Sequence, residues 1–451
     1  MAFSHTQRDP AVRSISLSPW CRKEVRTGLD KYAIETVIAR EILDSRGDPT
    51  IGVEIRTANG ATGSASVPSG KSRGRYEAAE LRDGGRRYHG RGVLRAVQNV
   101  NSEIRPKLIG MDVRKQEEID NVMIQLDGTP NKSRLGANAI LGVSIAVAKA
   151  ASESEGLPLH AYVNSKEAPL LPVPFMNIIN GGSHAGNRLD FQEHMVVPLK
   201  ATGFSEALRM GVEVYHELRE ILVRKYGRKA IDVGDEGGFS PPMKTSGEAL
   251  DTIQESIDSL GYQDKCFLAL DVAASSFFYR DKGYEVEGEF LTKGELIDYC
   301  RNLTRTYSIV SLEDPLEEED FEGFAELTRR VKPQVLGDDL FATSSRRLRQ
   351  GIDIQAANGI IWKVNQVGTL TEAYATVELA RENNLAVQAA HRSGETEDTF
   401  VADLAVGLSL GQIKTGAPSR GERTAKYNRL LRIEQELGEK ARYVSKLSPK
   451  F

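Results

Sequence analysis

Residues 309–315 read IVSLEDP and residues 334–340 read QVLGDDL, two short apolar runs that end in adjacent carboxylates. Four more runs of this kind occur in the second half of the chain: FLALDVAAS (267–275), GIIWKVNQ (359–366), LAVQAAHRSG (385–394) and GQIKTGAP (411–418). After a longer first interval, the charged ends recur about every 25 residues, the length of one strand, one covering helix and two loops. Continuously apolar strands that alternate with helices predict a parallel sheet buried on both faces.

Charged or titratable side chains close all six runs, at the point where each strand leaves the sheet. These residues are Asp271, Glu313, Asp338, Lys363, His391 and Lys414. Because parallel strands emerge on the same side, we expect the six to converge on the C-terminal rim of a β/α barrel. Acidic and basic residues also begin ordinary loops, but six successive cases, acids first and bases after, favour a functional site.

The composition is that of a globular protein with small-molecule chemistry. The 451 residues suffice for a barrel and a second domain. With 59 basic and 63 acidic residues and a net charge of −4, the chain predicts neither a nucleic-acid partner nor an anionic membrane partner. Its three cysteines lack CxxC spacing, which predicts reduced thiols and a cytoplasmic location. No apolar run approaches the length of a membrane span.

The chain divides into three predicted segments. Residues 1–31 are polar and aperiodic and contain Asp9, Glu24 and Asp30, so we expect a disordered N-terminal extension, not a targeting signal. Residues 32–165 combine alternating strand patterns, a turn at Asn59-Gly60 and helical segments, and predict a smaller α+β cap domain. Residues 166–451 carry the barrel and a polar helical tail. The predicted class is therefore α/β, a modified eight-stranded TIM-like barrel preceded by an α+β cap.

A glycine-rich and serine-rich loop lies within the predicted cap domain. Residues 67–83 read VPSGKSRGRYEAAELRD, a composition typical of a mobile loop that exposes backbone amides. Its glycines and serines precede a helix-like run. We therefore expect an active-site loop here.

The acidic strand ends predict a metal site. Three carboxylates, Asp271, Glu313 and Asp338, suit a hard octahedral cation, most simply Mg²⁺. Without the cation the clustered carboxylates would raise one another's pKa. Zinc is less favoured because no cysteine or histidine follows these three strands.

The basic strand ends predict an anionic substrate. Arg392 and Ser393 together suit a phosphate, through a bidentate guanidinium and a hydroxyl donor. A lysine among cations and a metal should have a lowered pKa and act as a base, and Glu193 or Glu236 could act as general acid. The expected reaction is proton abstraction next to a carboxylate, with loss of a group from the neighbouring carbon.

At these motifs the chain resembles the enolase (phosphopyruvate hydratase) family, from residue 32 to about residue 445. The matching stretches are EILDSRG (41–47), LGANAILGVS (135–144), NIINGGSHA (177–185), GDEGGF (234–239), ALDVAAS, EDP, GDDL, KVNQ, HRSGETEDTF (391–400) and GQIKTGAP. The resemblance implies an α+β cap on a modified barrel, usually a homodimer. It also implies Mg²⁺-dependent dehydration of 2-phosphoglycerate, a small phosphorylated carboxylate, to phosphoenolpyruvate.

The resemblance also implies catalytic and metal-binding roles. By motif, Asp271, Glu313 and Asp338 correspond to the ligands of a first Mg²⁺, and Ser72 to the ligand of a second Mg²⁺ when the loop closes. Lys363 resembles the base that takes the proton from carbon 2. Glu236 resembles the acid that helps to expel the hydroxyl from carbon 3, with Glu193 beside it and His391 as another active-site contact.

Further positions correspond to substrate contacts. Arg392 and Ser393 resemble the phosphate binders, Lys414 the carboxylate binder, and His184 and Gln192 contacts beside the substrate.

The loop departs from the family pattern SGASTG, because this chain has Lys71 and Arg73 in place of two small neutral residues. The change is either neutral drift or an adaptation in which the two cations contact substrate or partly replace the second Mg²⁺. Extra substrate charge would suit an enolase-like enzyme of phosphonate biosynthesis, such as a carboxyphosphonoenolpyruvate synthase. A third alternative, from a different class, is a non-catalytic enolase-like binding protein.

Overall fold

The structure, a computed structural model, describes residues 30–71, 74–163 and 168–447. The predicted N-terminal extension thus falls almost entirely outside the described residues, as do Ser72 and Arg73. Among the described helices, none combines the length and apolar character needed to cross a membrane.

Strands make up a cap sheet, a barrel and two small accessory sheets. Within the described residues they are, in chain order, β1 (Ile34–Leu43), β2 (Pro49–Thr57), β3 (Thr62–Ser66), β4 (Leu170–Leu171), β5 (Val173–Asn180), β6 (Glu193–Val197), β7 (Phe267–Asp271), β8 (Phe278–Tyr279), β9 (Gly283–Val286), β10 (Glu289–Leu291), β11 (Ile309–Glu313), β12 (Gln334–Gly337), β13 (Gly359–Trp362), β14 (Ala386–Ala390), β15 (Gly411–Lys414) and β16 (Arg442–Tyr443).

Helices cover the cap sheet and surround the barrel. In the same part of the chain they are α1 (Leu94–Asn99), α2 (Arg105–Leu108), α3 (Gln116–Asp127), α4 (Ala137–Ser154), α5 (Leu159–Tyr162), α6 (Phe204–Tyr226), α7 (Ser246–Ser259), α8 (Lys293–Thr306), α9 (Phe321–Arg330), α10 (Ser345–Ile354), α11 (Leu370–Glu382), α12 (Phe400–Gly407) and α13 (Gly421–Leu437). A π-helical turn joins α1 to α2.

The N-terminal part is the predicted α+β cap. Strands β1, β2 and β3 form an antiparallel sheet, and helix α4 packs on it with nearly all of its residues buried. Gly63 on β3 permits this approach, because a Cβ atom there would lie 2.0 Å from the carbonyl oxygen of Ala146 and 2.4 Å from the amide nitrogen of Ala150. The predicted turn at Asn59-Gly60 joins β2 to β3, with Gly60 at φ 89°.

The C-terminal part is a closed eight-stranded barrel, with strand order β5, β6, β7, β11, β12, β13, β14 and β15. The six strands predicted from the apolar runs are mutually parallel, as expected. Inside the barrel, Gln334 on β12 donates to Gln412 on β15 at 2.7 Å and to Ser311 on β11 at 3.0 Å. This polar layer pairs the buried amides of strands that are not neighbours.

One barrel strand runs in the opposite direction to the others. Strand β6 pairs antiparallel with both β5 and β7. Its first residue, Glu193, therefore lies opposite Asp271, the last residue of β7. Reversal of β6 brings Glu193 to the same rim as the ends of the parallel strands, and Gln192, predicted within the strand, directly precedes it.

Capping side chains define where the outer helices begin. Helices α7, α8, α9, α10 and α11 start after residues whose side chains accept a hydrogen bond from the first turn: Thr245, Thr292, Asp320, Ser344 and Thr369. Such caps satisfy amide groups that have no partner within the helix. The last helix, α13, was predicted to be a polar tail, but it buries Arg423, Lys426, Tyr427, Leu430 and Ile433.

We expect Gly63→Val to destabilise the cap by at least about 2 kcal/mol, because its side chain would overlap the backbone of α4. Urea denaturation followed by circular dichroism measures this loss. A matched control is Gly294→Ala near the start of α8, where a Cβ would meet nothing within 4 Å. Equal denaturation midpoints for the Gly63→Val protein and wild type would contradict the packing described here.

Candidate functional site

The C-terminal rim of the barrel surrounds a cavity of about 240 Å³. The predicted site residues that line it are His184, Gln192, Glu193, Glu236, Asp271, Asp338, Lys363, His391, Arg392, Ser393 and Lys414. Glu313 is buried beneath them and contacts Lys414. The structure thus brings together the ends of the six parallel strands with three segments that precede them in the chain.

Lys414 lies at the centre of the acidic residues. Its Nζ is 2.6 Å from Glu313 Oε2, 3.2 Å from Asp271 Oδ2 and 3.3 Å from Glu193 Oε2. Burial alone would lower the pKa of Lys414, but the carboxylates, Asp271 first among them, raise it well above its usual value. Lys414 is therefore a permanent cation that compensates the buried negative charge.

Lys363 pairs with Asp338 through a short contact between its Nζ and Oδ2. The sequence predicted a lowered pKa for this lysine, and in the structure the pKa is raised. Burial does favour the neutral amine, but the contact with Asp338 outweighs burial and the repulsion from Arg392 and Lys414. The same contact lowers the pKa of Asp338, although burial alone would raise it.

The predicted metal ligands close three neighbouring strands, since Glu313 is paired with Asp271 across β11 and β7, and Asp338 follows β12. Burial and the neighbouring Asp271 raise the pKa of Glu313 well above its usual value. Its Oε1 atom is buried without a hydrogen-bond partner. An unpaired, buried carboxylate oxygen beside two further carboxylates fits a hard cation such as Mg²⁺.

The three predicted ligands are not the most closely spaced acidic residues at this rim. Among the described residues, one ligand atom from each of Asp314, Asp338 and Asp339 lies within 4.8 Å of the other two, whereas Asp271, Glu313 and Asp338 do not form such a group. Lys414 separates Asp271 from Glu313, and Lys363 holds Asp338. Burial and Asp338 raise the pKa of Asp339 to about 7.

Two further glutamates of the cavity wall have pKa values shifted in opposite directions. Burial, Glu236 and Asp271 raise the pKa of Glu193 well above its usual value. For Glu236, burial is outweighed by His184 and His391, and its pKa falls well below the usual value. Asn177 Nδ2 also donates to Glu236 Oε2 at 2.9 Å. Glu193 is thus the member of the pair that holds a proton, whereas the sequence assigned the acid role to Glu236.

The cap supplies part of the site. Glu77 accepts two hydrogen bonds from the guanidinium of Arg392, at 2.8 and 3.1 Å, and both side chains are nearly fully buried. The side-chain hydroxyl oxygen of Ser393 accepts a hydrogen bond from the main-chain amide of Lys71 at 2.7 Å. Lys71 Nζ lies 2.9 Å from Asp235 Oδ2, so this ammonium contacts a loop carboxylate outside the cavity lining.

Sequence reasoning missed several residues that shape the site. Glu77, Asp314 and Asp339 line the cavity or its edge, and Arg423 supports it from α13. Asp314 and Asp339 were visible as the second carboxylate in each acidic pair of EDP and GDDL. Glu77 gave no signal, because its partner Arg392 is 315 residues away in the chain.

Two models of known protein domains match nearly the whole described chain. The model of the enolase N-terminal domain matches residues 34–163, and the model of the enolase C-terminal TIM barrel domain matches residues 168–450. The chain belongs to the enolase family. The enolase family resemblance noted from the motifs is thereby confirmed over most of the chain, and with it the architecture of an α+β cap followed by a TIM barrel.

Individual members of the enolase family align along nearly the whole chain. The protein named enolase in Methanocaldococcus jannaschii is 58% identical over 409 residues, which are 91% of this chain and 96% of the relative. Enolase from Methanopyrus kandleri is 57% identical over 91% of this chain and 97% of its own length. Enolase from Pyrococcus furiosus is 55% identical over 92% of this chain and 97% of its own length.

We expect Glu77→Ala to lower the free energy of unfolding by about 3 kcal/mol, because it removes the carboxylate from a buried ion pair. Chemical denaturation monitored by tryptophan fluorescence measures this loss. Glu54→Ala is the matched control: Glu54 pairs with Arg40 at 3.0 Å on the surface, and its loss should cost less than about 1 kcal/mol. Similar losses in the two variants would show that Glu77 does not stabilise Arg392.

Proposed function

We propose that this protein catalyses the reversible dehydration of 2-phosphoglycerate to phosphoenolpyruvate, as a hydro-lyase of the phosphopyruvate hydratase type. The observation that carries the proposal is that Lys363, Lys414, Glu193 and Glu236 line one cavity. A base on one side and a protonated carboxyl on the other suit removal of a proton from one carbon and of a hydroxyl from the next. Relatives of 52–58% identity, aligned over about nine-tenths of the chain, are named enolase.

Asp271, Glu313 and Asp338 would hold a Mg²⁺ ion, and Ser72, outside the described residues, would contribute to a second site. Bound there, Mg²⁺ would supply positive charge to stabilise the substrate carboxylate as it gains a second negative charge. The unpaired Oε1 atom of Glu313 and the acidic groups around Asp338 support this assignment.

Lys363 takes the proton from carbon 2. The group that accepts this proton must be a neutral amine, so the proton now shared with Asp338 has to leave before catalysis. Lys414, held as a cation by Asp271 and Glu313, binds the substrate carboxylate and favours the charge that develops on it.

The Glu193–Glu236 pair assists departure of the hydroxyl from carbon 3. Because the pKa of Glu193 is raised and that of Glu236 is lowered, the proton of the pair belongs to Glu193. His184 Nδ1 lies 3.5 Å from Glu236 and 3.8 Å from Glu193, without a hydrogen bond to either. Glu193, as the protonated member, and Glu236, as the acid that the motif assigns, together form the acid side of the reaction.

The remaining side chains orient the substrate. Arg392 and Ser393 bind the phosphate, a role supported by the burial of Arg392 against Glu77 and by the position of both residues on the cavity wall. Gln192 and His391 complete the wall beside Glu193 and Glu236. Lys71 pairs with Asp235 beside this wall, and Arg73, which follows it in the same loop of the sequence, lies outside the described residues.

The alternative of a phosphonate-type substrate with extra negative charge is not favoured. The relatives named enolase cover most of the chain, and the ammonium of Lys71, one of the two cations on which the alternative relied, pairs with Asp235. A purely non-catalytic role finds no support either, because the acids and bases of the site surround one cavity.

The proposal also covers the oligomeric state and the cellular location of the protein. We propose a homodimer or higher homo-oligomer, on the basis of the family. The described cysteines, Cys266 and Cys300, are buried and unpaired, which suits a reducing cytoplasmic compartment.

The direct test is an assay of purified protein with 2-phosphoglycerate and Mg²⁺, followed by the ultraviolet absorbance of phosphoenolpyruvate. We expect an absorbance rise that disappears when EDTA is added and returns when excess Mg²⁺ is supplied, because the carboxylates of the site need a counter-cation. The phosphonoformyl analogue of the substrate serves as the comparison. The proposal would be contradicted if the protein formed no product from 2-phosphoglycerate but turned over the analogue.

Two substitutions separate the two halves of the reaction. Lys363→Ala should reduce exchange of the carbon 2 proton with solvent by about 100-fold or more, since it removes the base. Glu236→Gln should spare this exchange and block dehydration. Exchange is measured by loss of deuterium from labelled substrate, and dehydration by absorbance. If both variants lost exchange equally, the division of roles between the two sides of the cavity would be wrong.

A further inference from the structure

Arg423 lies in the first turn of α13, and its side chain is fully buried beside the cavity wall. Its guanidinium donates to three main-chain carbonyl groups: Arg392 and Ser393, both at 2.6 Å, and Asp235 at 3.0 Å. These carbonyls belong to the two loops that carry the phosphate-binding residues and Glu236. One buried side chain therefore joins both loops to the last helix.

The same guanidinium contacts the ring of His391. Arg423 Nη1 lies 2.7 Å from His391 Nδ1. A guanidinium has only donors and keeps its charge in proteins. Nδ1 of His391 must therefore be the acceptor of this bond, and in the neutral imidazole the proton must sit on Nε2.

The other ring nitrogen faces an acid of the site. His391 Nε2 is buried without a hydrogen-bond partner, and the nearest acidic oxygen, Glu236 Oε2, lies 3.4 Å away. Burial lowers the pKa of His391 to about 3, against the opposing effect of Glu236 and with a further lowering by Arg423. The ring is therefore neutral at pH 7 and has a single proton.

The side chains of Arg423 and His391 are closely packed at Gly416. At Gly416, which follows β15 at φ +82°, a Cβ atom would lie 2.9 Å from Arg423 Cδ and 3.0 Å from the ring carbon Cε1 of His391. Tyr427, one turn along α13, donates its hydroxyl proton to the Gly416 carbonyl at 2.5 Å. The glycine and the tyrosine hold the guanidinium against the imidazole.

We propose that Arg423 is a positioning residue that fixes His391 as the Nε2-protonated tautomer, so that the ring places its one N–H on the side of Glu236 and does not act as a base. The tautomer itself follows from the donors around the ring. Its consequence for dehydration rests on the function proposed above, in which Glu236 belongs to the acid side of the reaction. His391 then holds the Glu236 carboxylate in place while Glu193 keeps the proton of the pair.

The tautomer can be observed directly in the full-length wild-type protein. Long-range proton–nitrogen NMR of protein labelled with ¹⁵N-histidine distinguishes a protonated ring nitrogen from an acceptor nitrogen. The chain has seven histidines, so His391→Asn identifies the signal. We expect Nε2 with a bound proton and Nδ1 without one, in the absence of substrate. A proton on Nδ1 would overturn the proposal, whether or not the protein turns over 2-phosphoglycerate.

Kinetics of Arg423 variants test the consequence. In Arg423→Met the fixed tautomer should be lost, and dehydration should fall by at least about tenfold while exchange at carbon 2 changes less than about threefold. Arg423→Lys retains a charged donor and should restore part of both the NMR pattern and the rate. A merely structural role predicts instead that exchange and dehydration fall together while the histidine signal stays unchanged.

Arg429→Met is the matched control, because Arg429 is also on α13 and pairs with Asp403 at 2.6 Å, away from the cavity. We expect this variant to lose stability without a change in the His391 signal or in the ratio of exchange to dehydration. The same change in that ratio in Arg429→Met would overturn the proposal. If Arg423→Met does not fold, the wild-type tautomer and Arg423→Lys still decide. Failure of the proposed function appears separately, as wild-type protein inactive on 2-phosphoglycerate with the predicted tautomer intact.

Discussion

Compensation of buried negative charge by Lys414 is the constraint on which the site depends. Its ammonium contacts Glu313, Asp271 and Glu193, which come from three adjoining barrel strands and would repel one another without a cation between them. Water cannot screen these charges, because all four side chains are nearly fully buried. The barrel must therefore close completely, with β15 supplying the lysine, before the acidic strand ends become tolerable. When a substrate or a cation binds, its contacts with these side chains replace some of the contacts between Lys414 and the carboxylates.

The same constraint explains why one strand of the barrel is reversed. In a wholly parallel barrel, a glutamate at the start of β6 would lie at the opposite rim, away from Asp271 and Lys414. Because β6 runs antiparallel to both neighbours, its first residue reaches the catalytic rim, and the long connection from β6 to β7 passes through the segment that carries Glu236. Two glutamates whose pKa values shift in opposite directions thereby share the rim with two lysines. The position of the acidic residues relative to the lysines therefore depends on the direction of β6 as well as on which residues the sequence supplies.

Strand ends were predictable from the sequence because both the apolar runs and the polar residues that close them are local signals. Asp271, Glu313, Asp338, Lys363 and Lys414 were found in this way, and motif resemblance added His184, Glu193 and Glu236. Long-range pairing was not predictable. Glu77 belongs to the cap, and Arg423 belongs to a helix with a polar sequence. The role of each depends on a contact with a residue far away in the chain. The raised pKa of Lys363 depends on its contact with Asp338, which spacing alone does not reveal.

Pairing of Glu77 with Arg392 has a consequence for how the protein is made. The cap is synthesised first, and the arginine that neutralises Glu77 emerges from the ribosome only after 315 further residues. Until then the cap carries a carboxylate without the guanidinium that it meets in the folded protein, while its β1–β3 sheet and α4 can already pack. A nascent chain that stops before residue 392 would hold a folded cap and a barrel lacking both β15 and α13. Docking of the last-made segments onto the first-made domain thus completes the buried ion pair between Glu77 and Arg392.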